Sequence, residues 1–171
     1  MSIAQLLLSF RGRIPRLYWW VGTLVVGGVA GILSSILEYW AETAGQGAVN
    51  LETDTFEPSG WFALAIFVVG ASNVWISYAL SAKRLHDRGR SAWWLLPQFL
   101  LIFLSLTVAF LGLGMAEEDQ TRVFAVAAIL GIPGLLLSLW LFVELGILKG
   151  TVGPNRYGPD PRGAPQEDAA L

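Results

Sequence analysis

Four apolar runs constrain this chain more than any other feature, because each is long enough to cross a bilayer. A hydrocarbon core of about 30 Å takes roughly 20 helical residues, and Tyr18 to Leu37, Trp61 to Leu80, Trp93 to Met115 and Val123 to Leu145 all meet that length. None alternates polar and apolar residues as a barrel strand would, and a helix satisfies its own backbone in hydrocarbon. The expected fold is an all-α membrane protein of four transmembrane helices. A shorter apolar stretch, Ile3 to Phe10, cannot cross and reads as an N-terminal interfacial helix lying along the membrane. The first long run exceeds the core of a signal peptide, and the EYWAETAG after it is a poor cleavage site, so it reads as a retained span. Residues 1–162 then form a single four-helix transmembrane domain. The Pro-, Gly- and charge-rich residues 163–171 read as a disordered tail.

Orientation follows from the basic residues. Arg11, Arg13 and Arg16 precede the first run, Lys83, Arg84, Arg88 and Arg90 lie between the second and third, and Lys149, Arg156 and Arg162 follow the fourth. Only Arg122 falls on the other side, where Glu38, Glu42, Glu52, Asp54, Glu57, Glu117, Glu118 and Asp119 collect. By the positive-inside rule both termini and the middle connection of this multi-pass chain are cytoplasmic. Trp19 and Trp20, like Trp93 and Trp94, fall where an interfacial aromatic belt belongs.

Three motifs sit on that basic side. They are FRGRIPRLYWW from Phe10 to Trp20, RLHDRGRSAWW from Arg84 to Trp94, and GPNRYGPDP from Gly153 to Pro161. In this order, around four spans, they resemble the bacterial domain-of-unknown-function family 805 of small inner-membrane proteins. The resemblance rests on Phe10, Gly12, Arg16, Tyr18 and Trp19, on Arg84, Leu85, His86, Asp87, Gly89, Ser91 and Trp93, and on Gly153, Asn155, Arg156, Tyr157, Gly158 and Pro161. Pro15 departs from the pattern, standing where a small polar residue is more usual. The resemblance implies fold and topology, and no activity.

Within the motifs, HDRGRS reads as a helix end and turn, with Gly89 in the left-handed conformation and Asp87 or Ser91 capping exposed amides. Arg16, Arg84, Asp87, Glu144, Asn155 and Arg156 are expected to form a structural polar cluster, with Glu144 paired to Arg16 or Arg84. Arg11, Arg13, Arg16, Trp19, Arg84, His86, Arg88, Arg90, Trp93 and Arg156 form the candidate surface for anionic lipid or a membrane partner, since arginine meets phosphate bidentately. Inside the spans, Asn73 needs a partner, expected on another helix. Gly27 with Gly31, and Gly146 with Gly150, have the spacing of close helix contacts or a homo-oligomer seam. Pro133 is expected to kink the fourth span, and the acidic loop from Glu38 to Gly60 to be flexible.

Composition narrows the function. Charged residues make up 14% and hydrophobic residues 54%, against about 25% charged in soluble domains. The net charge of -2 gives no global field for nucleic acid. No cysteine and a single histidine leave no basis for a metal site, and no cofactor is expected. The preferred reading is a non-enzymatic membrane protein, an accessory or assembly factor or complex subunit that binds anionic lipid or a membrane partner. Two alternatives stand beside it: a small ion or solute transporter or channel using Asn73 and Glu144, and a lipid-headgroup enzyme using His86 and Asp87.

Overall fold

The computed structural model of the chain describes residues 2–51, 55–113 and 115–163, without the side chains of Glu117 and Glu118. Glu52, Asp54, those two side chains and the tail 164–171 lie outside what is described. In chain order the elements are α1 (Ile3–Leu8), α2 (Arg16–Thr43), β1 (Gly47–Asn50), β2 (Thr55–Pro58), α3 (Gly60–Asp87), α4 (Leu95–Gly112, preceded by a 3-10 turn at Ala92–Trp94) and α5 (Glu117–Phe142). A π-helical turn, Val143–Ile147, extends α5. Among the described residues, four helical segments, Arg16–Thr43, Gly60–Asp87, Ala92–Gly112 and Asp119–Ile147, are long and apolar enough to cross a membrane.

The residues group into two compact units. The first comprises Met1–Phe10 and Trp20–Leu80. In it, Ser2 and Gln5 cap α1 reciprocally, and Phe10 meets Trp75 edge to face at 5.1 Å. Gly22 lies against Leu80, where an added Cβ would come within 2.9 Å of a methyl group. Strands β1 and β2 pair antiparallel from Gly47 opposite Pro58 to Asn50 opposite Thr55, and Asn50 donates to Glu57 at 2.8 Å. The loop expected to be flexible therefore contains a helix extension to Thr43 and a short hairpin. Its backbone groups pair with one another, which a reading of polarity alone does not reveal.

The second unit comprises Arg11–Trp19 and Ser81–Leu171. Here α4 and α5 form an antiparallel pair whose close approach depends on small residues. Ser105 Oγ donates to the Ala127 carbonyl at 2.8 Å, and Gln98 donates to Ser138 at 3.1 Å. Gly131 faces Ser105 and Gly134 faces Ile102 with no room for a Cβ. The α5 helix runs continuously through Pro133, and its regular pattern changes at Val143, ten residues further on.

Apolar side chains such as Leu24, Phe67, Leu106 and Leu136 are exposed, as befits helices whose solvent is lipid. By contrast, the largest fully buried side chains include Arg84, Lys83 and Asp87. Charge is buried where the last turn of α3 lies, and that turn has a defined end. Arg90 N–H donates to the Leu85 carbonyl and Gly89 N–H to that of His86, with Gly89 at φ 71°. This is the paired pattern of a left-handed C-terminal cap, and Ser91 then caps the 3-10 turn by accepting from Trp93 N–H. Gly89→Ala should cost about 1 to 2 kcal/mol for the left-handed backbone, read as a lower thermal midpoint. Gly70→Ala, inside α3 with nothing within 4 Å of an added Cβ, should leave the midpoint in place or raise it, since alanine is the better helix former.

Candidate functional site

The site begins with spacing on α3. Arg84 and Asp87, three residues apart, share one face of the helix and form an ion pair, 0% and 1% exposed at their side chains. Removing both charges from water costs several kcal/mol per ion unless further bonds compensate. Here they do. Asp87 Oδ1 also accepts from Arg13 Nε at 3.2 Å and Nη2 at 3.0 Å. Arg84 Nε donates to the Leu145 carbonyl at 2.9 Å, and its Nη2 to that of Leu148. Those carbonyls belong to the π turn and the residue after it, at the negative end of α5, where backbone acceptors lack helical partners. One guanidinium thus joins the end of α3 to the end of α5.

Arg13 brings in the segment beyond α5. Its Nη1 donates to the carbonyls of Gly153 at 2.8 Å and Gly158 at 3.1 Å, and its Nη2 to Thr151 O at 2.8 Å and Oγ1 at 3.1 Å. Thr151 Oγ1 donates to the Asp87 carbonyl at 2.9 Å and accepts from Asn155 Nδ2 at 2.9 Å, so the hydroxyl uses its full bonding capacity. Asn155 also donates to the His86 carbonyl at 3.0 Å. The turn from Asn155 to Gly158 is closed by reciprocal backbone bonds. It lays Tyr157 flat on His86, with centroids 3.9 Å apart and planes 10° from parallel. His86 Nδ1 lies 3.2 Å from the Gly12 carbonyl, a bond that requires the proton on Nδ1. Asp160 closes the segment. The backbone amides of Arg162 and then Gly153 hold its carboxyl below the usual carboxylate range.

Glu144, 4% exposed at its side chain, forms a second ionic centre with Arg88 Nε and Arg90 Nη2, each at 3.0 Å. Its expected partners were Arg16 or Arg84. Arg84 is taken by Asp87 one helical turn away, while Arg88 and Arg90 lie beyond the last helical residue of α3, where the Gly89 turn carries them to α5. Arg90 also sits over Trp140, 5.2 Å from the ring centroid.

The structure distributes the expected residues unevenly. Arg84, Asp87 and Asn155 belong to one hydrogen-bonded network, and Arg156 reaches it by donating to the Gly89 carbonyl at 3.1 Å. Arg16 touches its margin through a 3.3 Å bond to the Ile147 carbonyl. Of the candidate lipid or partner surface, Arg11, Arg16, Trp93 and Arg156 are exposed, whereas His86, Arg88 and Arg90 are half-buried. Arg13, Trp19 and Arg84 are buried. This corrects their assignment to an outward binding surface, because the two guanidiniums bind chain acceptors and Trp19 donates to Ser81 at 3.1 Å. Asn73 accepts from Ser77 at 3.2 Å, one turn along its own helix rather than on another.

Sequence reasoning missed Thr151, and read Lys149 only as a marker of orientation and Gly150 only as a helix-contact glycine. The signal was the run KGTVGPNRYG, where Gly150 packs so closely on the Asp87 carboxylate that no Cβ fits. Beside it is a cavity of about 270 Å³ lined by Arg16, Arg84, Asp87, Lys149 and Arg162 together with Pro15, Leu17 and Gly150. Among the described residues, no group of three His, Cys, Asp or Glu side chains is placed to hold a metal ion.

Comparison with known proteins places this arrangement. A family model described as "Protein of unknown function (DUF805)" matches residues 7–159, which include Arg13, the α3 end and the Asn155 to Gly158 turn. The chain belongs to the DUF805 family. It is 33% identical over 162 residues to "Uncharacterized protein YiiR" of Escherichia coli (strain K12), covering 94% of this chain and 90% of that one. It is 26% identical over 166 residues to "Inner membrane protein YhaH" of the same strain, covering 95% and 94%. No solved structure matches. YhaH is by name an inner membrane protein, and the described residues of this DUF805 chain include four helices long and apolar enough to cross a membrane.

Proposed function

We propose that the chain is a non-enzymatic, multi-pass protein of the bacterial inner membrane with both termini cytoplasmic and α1 lying in the interface. We propose further that it serves as an accessory or assembly factor, or a complex subunit, whose cytoplasmic basic face binds anionic lipid or a membrane partner. One observation carries this reading. The buried carboxylates Asp87 and Glu144 are each met by two guanidiniums, and Arg11, Arg16, Lys149, Arg156 and Arg162 are exposed on the same unit. Each such cation near an anionic leaflet contributes about 1 kcal/mol.

The competing readings draw less support. Glu144 is neutralised by Arg88 and Arg90, and Asn73 is bonded within α3, so neither needs a transported ion. His86 faces Gly12 and Tyr157 while Asp87 faces Arg13 and Arg84, so the adjacent pair does not form an acid-base couple. The test is native mass spectrometry of the full chain released from nanodiscs of mixed phosphatidylglycerol and phosphatidylcholine. Phosphatidylglycerol should be enriched among retained lipids, and less so at high salt, where exposed charges are screened. Retention in proportion to the lipids supplied would refute the reading.

A further inference from the structure

We propose that the cavity between the first turn of α2 and the segment after the π turn is a binding site for a phosphate group. This rests on the basic face described above and assigns it a definite pocket. Its lining holds Arg16, Arg84, Lys149 and Arg162 against one carboxylate, Asp87. That carboxylate is already committed, since Arg13 and Arg84 both donate to it. Arg162 shares its charge with Asp160 at 3.3 Å. Among the described residues, five cations bound to the wall or lining it, Arg13, Arg16, Arg84, Lys149 and Arg162, face two carboxylates, Asp87 and Asp160, an imbalance that an anion would offset. Arg84 holds its charge in a low-dielectric setting at the base of the pocket, where its field is poorly screened.

The exposed cations are placed to exchange partners. Arg16 reaches the Ile147 carbonyl at 3.3 Å, and Arg162 reaches those of Thr151 at 3.2 Å and Gly150 at 3.4 Å. These are long bonds to neutral acceptors, and charge-assisted bonds to a phosphate oxygen are roughly twice as strong. A phosphate group, even as a diester, holds its two anionic oxygens on a tetrahedral centre, so Arg16, Lys149 and Arg162 can approach it from different directions, whereas a carboxylate offers its two oxygens in one plane. The start of α2 adds to this. Its first turn carries no acidic side chain, so the positive end of the helix is uncompensated. The volume of about 270 Å³ falls just below the range of roughly 300 to 1,000 Å³ typical for drug-sized ligands. That favours a compact anion over a nucleotide. Leu17, 65% exposed, forms part of the same wall and suits an occupant with an apolar attachment, such as a lipid phosphodiester. Inorganic phosphate offers the same chemistry without that attachment.

The experiment compares three full-length proteins in neutral detergent: wild type, Arg16→Gln/Lys149→Gln in the cavity wall, and Arg11→Gln/Arg156→Gln outside it. Each is titrated with phosphatidylglycerol, phosphatidylcholine and inorganic phosphate, with bound lipid read by native mass spectrometry and phosphate by calorimetry. The cavity variant should weaken phosphatidylglycerol binding by roughly 30-fold, the equivalent of two near-surface cations, and by clearly more than the outer variant, whose two cations belong to the basic face but not to the pocket. An equal loss in both would overturn the pocket assignment. If the outer variant loses the preference and the cavity variant keeps it, the pocket assignment is overturned and the broader basic-face reading survives. If wild type shows no lipid preference, that broader reading fails. The pocket assignment then stands only if inorganic phosphate binds wild type and not the cavity variant, which would identify a soluble phosphate as the ligand. Thermal midpoints accompany each titration, and Lys149→Gln alone replaces the double variant if the latter melts early.

Discussion

Asp87→Ala should destabilise the chain by about 3 to 5 kcal/mol, the usual consequence of stripping one partner from a buried ion pair. The side chain is 1% exposed and serves two guanidiniums, Arg13 and Arg84. Without it both remain inside the second unit, with only backbone carbonyls and the Thr151 hydroxyl as acceptors among the described residues. For a chain of this length each kcal/mol lowers the thermal midpoint by about 2 to 4 °C, so the loss should appear as a shift on the order of 10 °C in detergent. Asp119→Ala provides the contrast. Its pair with Arg122 is 3.7 Å long and solvent-exposed on both sides, and exposed pairs contribute at most about 1 kcal/mol. Equal shifts for the two variants would show that the buried centre is not what holds these segments.

Gly150→Ala should be nearly as damaging, although it adds a single methyl group. An alanine Cβ would overlap the Asp87 carboxylate, which three guanidinium nitrogens hold in place. Neither group can yield without breaking a charged bond. Overpacking alone costs about 1 to 3 kcal/mol, and displacement of the carboxylate adds part of the ion-pair loss. Gly31→Ala tests the reasoning, because nothing lies within 4 Å of a Cβ there. Alanine is also the better helix former by up to about 1 kcal/mol, so this variant should match or exceed wild-type stability. A loss of stability for Gly150→Ala and none for Gly31→Ala, measured by thermal unfolding, is the expected result.

These effects explain which features the sequence disclosed. The spans were legible because hydrocarbon demands an unbroken apolar run, a demand written in local composition. The end of α3 was partly legible. HDRGR carries a glycine where a left-handed residue must stand, and Gly89 has φ 71°. The apolar run stops at Leu80, however, while the helix continues to Asp87. The extra turns persist because their charged side chains are satisfied by segments distant in the chain. For the same reason the roles of Arg13 and Arg16 were not separable by type. Both precede the first span, yet Arg13 is buried on Asp87 and Arg16 is exposed in the cavity wall. The partners of Glu144 were hidden as well, since they depend on the π turn and on the direction taken after Gly89. Local patterns reveal elements; the bonds made between remote segments decide which charged groups face inward.

The most direct test of that interlock is a double-mutant cycle between Arg13 and Asp87, 74 residues apart in sequence and 3.0 Å apart in space. Thermal unfolding of Arg13→Gln, Asp87→Asn and the double variant gives their coupling. The structure predicts an interaction energy above about 1 kcal/mol, with the double variant much less damaged than the sum of the singles. Additivity within roughly 0.5 kcal/mol would mean that these two residues do not meet, and would contradict the network on which the candidate site is built.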